Sequence, residues 1–390
     1  MKFSNRIKNV DGNAVREIFE LLKEDEIISF AGGWPATETL PDKQIDVILQ
    51  TLFAKYGVSE CLQYDSTRGK TILIEALRKY LSEYKGVTAE DDNIIVTAGG
   101  QQGIEYMCKT FLDPGDRVLV QDPTYIAVLQ IIKSYEGKPV GVASCEDGID
   151  LADLEAKIVE TKPKFLYIVP MFSNPTGARL SANNRLAIEE ITAKHGVMVL
   201  EDDPYGGLGF DDGVKEQRPG KLPPNVVYVT SMSKIIAPAL RIGVAVGSRE
   251  IIDKFIVAKQ STDVCPPAIT QLVTAEFLDN YLAEHLARIK PIYKAKRDAM
   301  VSALQKYMPP TFQFEVQKGG MFVWGRFTDK KDTGAMFRRA VEAKVAYLPG
   351  AHFFADSKSV EAQRTMRLSY SSVTLEEIEC GVKALGELFS

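Results

Sequence analysis

The sequence predicts an α/β protein in which a large unit, built on a mainly parallel seven-stranded sheet, is joined to a smaller α+β unit. Three observations carry this prediction. Between residues 94 and 247, short β-rich runs alternate with amphipathic helical runs, the pattern of a parallel sheet covered by helices. After residue 268 the rhythm changes to long helices and then to a few further strands. A chain of 390 residues also exceeds what one hydrophobic core organises. The changes of rhythm place the large unit at 42–285 and assign 1–41 together with 286–390 to the smaller one.

Taken in order, residues 13–23 carry Val15, Ile18, Phe19 and Leu22 at helical spacing, with Arg16 off that stripe. Residues 27–41 (IISFAGGWPATETLP) are broken by Gly32, Gly33, Pro35 and Pro41 and read as loop. Helices follow at 42–56 and 69–84, around a polar turn with Tyr64, Asp65 and Gly69. The strand runs are IIVT (94–97), RVLV (117–120), PVGVA (139–143), FLYIV (165–169), VMVL (197–200), VVYVT (226–230) and IGVAVG (242–247). Helical runs fill 101–112, 123–134, 151–161, 181–195 and 249–260, with Ser181 as an N-cap and Gly196 as a stop. Long helices over 268–308 contain Pro291, which predicts a kink or break. FQFEV (312–316) and MFVWGRF (321–327) flank Lys318-Gly319-Gly320 as a hairpin. A helix at 332–344, a strand at 366–371 and a helix from 374 complete the smaller unit.

Composition narrows the function. Hydrophobic residues make up 45% and charged residues 25%, as in ordinary globular proteins. A net charge of −5 offers no broad attraction for nucleic acid or an anionic membrane. No apolar run approaches the roughly 20 residues that span a bilayer. The N-terminus MKFSNRIKNVDGN lacks the apolar core of a signal peptide. Cys61, Cys108, Cys145, Cys265 and Cys380 are scattered and form no C-x-x-C pair, which suits reduced thiols in a cytoplasm. His195, His285 and His352 lie too far apart for a zinc ligand set, so no metal is expected.

Ligands of an open α/β sheet bind at the carboxyl ends of its strands. The stretch Val226–Gly243, VVYVTSMSKIIAPALRIG, sets Ser231, Ser233, Lys234 and Arg241 at such an end. Three readings of Lys234 stand at this point. It is a Schiff-base lysine with serines and Arg241 on a cofactor phosphate, or the partner of a Ser231 nucleophile in an S-x-x-K arrangement, or a snorkelling surface charge. The other strand ends carry Gly99, Gly100 and Gln101, which open a helix able to hold a phosphate. Further on come Tyr125 in DPTY, Asn174 in SNPTG, and Glu201-Asp202-Asp203 with Tyr205 in EDDPY. Three adjacent carboxylates at a buried strand end require positive charge nearby.

Read in order, FAGGWPA (30–36), LQYDSTRG (62–69), TAGGQQG, DPTY, NPTG, EDDPY, SMSKIIAPALRIG and MRLSYS resemble the class I/II aminotransferases, which are pyridoxal-phosphate (PLP) enzymes of fold type I. The subgroup most resembled holds α-aminoadipate, kynurenine and aromatic aminotransferases. The resemblance covers nearly the whole chain and implies catalytic roles for Lys234, Asp202 and Tyr125 and binding roles for the other matched positions. Lys234 matches the Schiff-base lysine, and Asp202 the partner of the pyridine nitrogen. Asn174 and Tyr205 match the pair on the phenolic oxygen, and Tyr125 the ring stacked on the cofactor. Gly100, Gln101, Ser231, Ser233 and Arg241 match the phosphate cradle. Many relatives have serine where Gly100 stands, so backbone alone acts there and cofactor binding is expected to be slightly weaker. Tyr64 resembles a tyrosine that reaches the phosphate from a second subunit, implying a homodimer with shared active sites. Arg367 in MRLSYS matches the arginine that forks onto the substrate carboxylate, with Gly33 and Asn174 beside it. Arg16 resembles an arginine that meets a side-chain carboxylate; a solvated helix charge is the plainer account of it.

The implied activity moves an amino group between an L-amino acid (aminoadipate, aromatic, kynurenine-like or branched-chain) and a 2-oxo acid such as 2-oxoglutarate. A PLP lyase or decarboxylase would use the same cradle. The S-x-x-K class expects S-D-N and K-T-G motifs, and the chain has neither. A regulator's effector domain would bring a DNA-binding module, and the residues before 94 do not read as a basic winged helix.

Overall fold

A computed structural model of the chain describes residues 1–8, 10, 27–210, 218 and 221–390. The helix expected at 13–23, with Arg16, lies outside the described residues. After a short strand, β1 (Ile28–Ser29), the chain builds one sheet from eight strands. These are β2 (Ile94–Thr97), β3 (Arg117–Asp122), β4 (Lys138–Cys145), β5 (Gly148–Ile149), β6 (Phe165–Ile168), β7 (Met198–Asp202), β8 (Val226–Ser231) and β9 (Gly243–Val246). Their spatial order is β2-β9-β8-β7-β6-β3-β4-β5. Neighbours from β8 across to β4 are parallel, and β9 runs antiparallel to both β8 and β2.

Seven of these strands are the expected runs. The eighth, β5, is a two-residue return that pairs Ser144 with Ile149 at the end of β4. It is too short to carry a hydrophobic period, and Gly148 turns it with φ +147°. Successive residues of the central strands feed two different cores. Phe165 and Tyr167 of β6 pack on one face, Leu166 and Ile168 on the other. The first face is covered by the helices Gly100–Phe111, Ile126–Ser134 and Arg249–Gln260, the second by Leu151–Thr161 and Ala182–Lys194. With both faces buried, these strands read as continuous apolar runs.

Two helical expectations need correction. The segment expected as one helix over 69–84 is Thr71–Tyr80 followed by a wider π turn, Leu81–Lys85, which ends with the Lys85 side chain buried. Pro291 neither breaks nor ends its helix. The break falls at Tyr281, and Leu282–Tyr307 runs through the proline. Its first half packs Leu286, Ile289 and Tyr293 into the large core, and its second half packs Met300, Ala303 and Leu304 into another. Anchorage on both sides outweighs the one hydrogen bond a proline removes.

The remaining strands are β10 (Phe312–Phe314), β11 (Phe322–Phe327), β12 (Val345–Ala346), β13 (Leu348–Pro349) and β14 (Thr365–Ser369). Four of them form an antiparallel sheet in the order β10-β11-β14-β13, with β10 and β11 as the expected hairpin. β12 pairs in parallel with β1, joining the N-terminal segment to this region. The backbone of Phe30 is clamped on both sides, donating to Ala346 O at 2.8 Å and accepting from Ser369 N at 2.8 Å. That clamp fixes the path of Ala31–Trp34 beside β14, and so sets Gly33 next to Arg367.

Candidate active site

The carboxyl ends of the parallel strands open into a cavity of about 430 Å³. Five separate loops reach it from the large sheet. They contribute Gly100 and Gln101 after β2, Tyr125 after β3, Asn174 after β6, Asp202 and Tyr205 at β7, and Ser231, Ser233, Lys234 and Arg241 between β8 and β9. Gly33 and Arg367 close the opposite wall. Two candidates are not among these. Tyr64 is 79% exposed and outside the cavity of its own chain, and Arg16 lies outside the described residues.

The carboxylate run resolves residue by residue. Glu201, fully buried, accepts two bonds from Arg185 (Nε 2.7 Å, Nη2 2.6 Å) and one from Arg218 Nε at 3.2 Å. Asp203 is held by Lys85 Nζ at 3.1 Å, Tyr228 Oη at 2.6 Å and the backbone N–H of Gly206 at 2.8 Å. Asp202 faces the cavity instead. Among the described residues it has no ion pair; its partner is Tyr167, whose Oη donates to Oδ2 at 2.7 Å. Burial, with Asp203 adding repulsion, pushes the Asp202 carboxyl up to about 7 against the Tyr167 hydrogen bond.

Lys234 donates to Gly33 O at 2.8 Å. Burial first, then the charges of Arg367 and Arg241, bring its ammonium down to about 8. Ser231 Oγ donates to Ser233 Oγ at 2.9 Å, while the lysine is bonded to Gly33 O. Arg367 is buried and held from several sides. Its Nη1 donates to Asn174 Oδ1 at 2.8 Å and its Nη2 to Ala31 O, and the guanidinium lies 4.5 Å from the Phe322 ring centre and 5.2 Å from that of Phe353. Its Nε has no partner among the described residues. Burial lowers the guanidinium to about 10, which still leaves it charged at neutral pH.

At the other end, the helix Gly100–Phe111 presents its first-turn N–H groups. Arg241 sits at φ +52° and donates from Nη2 to Ala98 O at 2.9 Å. The φ of +80° at Gly99 favours glycine there, and its lack of a Cβ leaves room for the Arg241 guanidinium. Gly100 is not under that constraint, since a Cβ would come no closer than 3.6 Å to Ser231 or Val229. Tyr125 caps the helix Ile126–Ser134, and burial pushes its phenol up to about 12. The Tyr205 ring stands edge-on to Phe322 at 5.6 Å, with the Asn174 side chain beside its hydroxyl.

Several contributors escaped sequence reasoning. Tyr167 reads as one more aromatic in an apolar strand. Lys85, Arg185 and Arg218 neutralise the flanking carboxylates from distant segments, with no local spacing to mark them. Trp34, Ile126, Gln130 and Leu348 also line the cavity. Among the described residues no group of histidine, cysteine or acidic side chains forms a metal-sized cluster. None of the described helices is long and apolar enough to cross a membrane.

Residues 25–385 match the family model described as aminotransferase class I and II. The chain is 34% identical to aromatic-amino-acid aminotransferase 1 of Thermococcus litoralis, covering 99% of this chain and 93% of that one. It is 33% identical to 2-aminoadipate transaminase of Thermus thermophilus, over 98% and 95%. A crystal structure of Pyrococcus horikoshii kynurenine aminotransferase, in complex with PMP, superposes with a TM-score of 0.93 at 36% identity, covering 99% of this chain and 96% of that one.

Asp202 makes a pH prediction for the cofactor-free protein. Its carboxyl rises from 3.8 to about 7 on folding. Between those values the folded chain holds a proton that the unfolded chain has lost, so stability falls as pH rises. Asp202→Asn removes this cost. In urea unfolding of the cofactor-free protein it should be the more stable form at pH 8 by on the order of 2–4 kcal/mol, with the gap closing toward about pH 4. A gap that stays constant with pH contradicts the assignment.

Proposed function

From the premise that this chain belongs to the class I and II aminotransferases and takes pyridoxal 5'-phosphate as its cofactor, we propose that Lys234 and Asp202 carry its chemistry. The protein is a PLP-dependent aminotransferase. What supports the residue assignment is that a lysine of lowered pKa and a carboxylate without an ion-pair partner among the described residues face one cavity, lined also by an anion-binding helix start and a partly unpaired arginine. These residues fit the cofactor. Asp202 suits a cationic ring nitrogen. The helix start at Gly100 and Gln101, the hydroxyls of Ser231 and Ser233, and Arg241 suit a phosphate. Asn174 and Tyr205 suit the ring's phenolic oxygen, and Tyr125 suits its face.

The cofactor supplies an aldehyde carbon that binds amino groups and a ring that takes up the electrons left when a proton leaves the α-carbon. Lys234 Nζ, brought down to about 8, is partly neutral at physiological pH and serves as the base that removes and returns that proton. Arg367 binds the substrate carboxylate and orients the α-carbon, aided by Asn174 and the backbone of Gly33. The rings of Phe322 and Phe353 exclude water around the guanidinium, which strengthens its grip on an anion.

For the donor we take aromatic, kynurenine-like or aminoadipate amino acids, as named for its relatives, or a branched-chain amino acid, with 2-oxoglutarate as acceptor. The apolar wall of Trp34, Ile126 and Leu348 supports bulky side chains. Arg16 is the proposed contact for a side-chain carboxylate. We assign cofactor binding to residues 42–285, and Arg367 with Gly33 to the unit formed by 1–41 and 286–390. The working form is taken to be a homodimer in which Tyr64 serves the second site, since its exposure sits beside exposed Phe53, Val58 and Leu62. A cytoplasmic location fits the five free thiols.

Two experiments test this reading. Borohydride reduction of the loaded protein followed by peptide mapping should find the cofactor on Lys234; attachment to another lysine overturns the assignment. Arg367→Lys should lower kcat/KM for the amino acid about ten- to a hundredfold while cofactor content stays unchanged, because a point charge cannot reproduce the fork. An unaltered kcat/KM would remove Arg367 from the carboxylate site.

A further inference from the structure

A carboxylate facing a ring nitrogen shares one proton with it, and the proton rests on the stronger base. Asp202 is buried, and burial disfavours its ionised form. Left alone, it would draw the shared proton away from the ring. It is not left alone. Tyr167 Oη donates to Oδ2 at 2.7 Å, and both side chains are buried. The other oxygen, Oδ1, lies toward the start of the helix Gly100–Phe111, 3.7 Å from where a Gly100 Cβ would stand. The two oxygens are thus divided, one held by the phenol and one turned to the cavity.

The neighbours hold the end of the strand in place. Tyr167 is on β6, next to β7, where it pairs in register with Leu200. The residues either side of Asp202 are tied by their own partners, Glu201 to Arg185 and Asp203 to Lys85 and Tyr228.

We propose that Tyr167 is a positioning residue whose phenol occupies Asp202 Oδ2 and thereby keeps the proton shared by Asp202 and the cofactor on the ring nitrogen. The proposal rests on the reading of Asp202 as the partner of that nitrogen. No bond is made or broken; the proton lies at one end or the other of a single hydrogen bond. A donor to the carboxylate weakens it as a base, and the ring with its proton is the better electron acceptor.

The test uses holoenzyme reconstituted with pyridoxal phosphate labelled with 15N in the ring. In the wild type the 15N chemical shift should be that of a protonated ring nitrogen. In Tyr167→Phe it should move toward the neutral pyridine value. The rate of the amino-acid half-reaction should fall about ten- to a hundredfold, with KM little changed, the size of effect that losing a hydrogen bond to a charged group produces. Tyr167→His, which keeps an N–H donor, should recover part of both, and it serves as the second variant if the phenylalanine form does not fold. In cofactor-free protein, the loss of stability tied to Asp202 should extend to higher pH in Tyr167→Phe. A protonated ring in the wild type with an unchanged shift in both variants overturns the role of Tyr167. An unprotonated ring in the wild type overturns the Asp202 reading itself, and this proposal with it.

Discussion

Three consecutive carboxylates at the buried end of one strand are the constraint on which the rest of the structure depends. Each ionised carboxylate taken out of water costs several kcal/mol unless it is paired. The fold meets this demand twice from within. Arg185 and Arg218 close on Glu201, and Lys85 with Tyr228 closes on Asp203. It leaves the middle member facing the cavity with only a phenol. A cation that enters beside Asp202 completes a set that the protein itself leaves incomplete. The wide turn at Leu81–Lys85 also gains a purpose, since it leaves Lys85 buried where Asp203 needs it.

Charge in the cavity is balanced along its length in the same manner. Lys234 and Arg367 lie in the same low-dielectric space, and each makes the other's charge more costly. Under the proposed assignment, anions beside Gly100 and Arg367 would relieve this, as a ring cation would relieve Asp202. The cavity is therefore complementary to a dipolar ligand with two anionic ends and a cationic middle. Arg367, on β14, lies at one of those ends. The clamp of Phe30 between β12 and β14 holds Gly33 against Lys234 and Arg367 beside Asn174.

Much of this was legible in the sequence, for a local reason. A parallel strand buried on both faces is a short apolar run, and the first polar residues after it must lie at the sheet's ligand edge. Gly99, Tyr125, Asn174, Asp202 and Ser231 were found by that logic. Lys234 is not decided by its own surroundings, since Ser231-x-x-Lys234 admits two chemistries; in the structure Ser231 bonds to Ser233, and Lys234 to Gly33 O. What stayed hidden depends on distance along the chain or on context. Lys85 meets a partner 118 residues away. Tyr167 cannot be told from a packing aromatic until β6 and β7 are neighbours. Pro291 misled because local propensity predicts a break, whereas the helix is held at both ends by different cores. β5 is shorter than any period.

Among the described residues Asp202 has no ion pair, while Glu201 and Asp203 are paired within the fold. The most direct measurement is the difference in unfolding midpoint between cofactor-loaded and cofactor-free protein, compared for wild type, Asp202→Asn and Lys85→Met. The account predicts that the difference collapses in Asp202→Asn. In Lys85→Met it should persist, while both forms lose stability by roughly 3–5 kcal/mol, the cost of a buried charge without its partner. A difference that survives Asp202→Asn, or one that collapses equally in Lys85→Met, would contradict it.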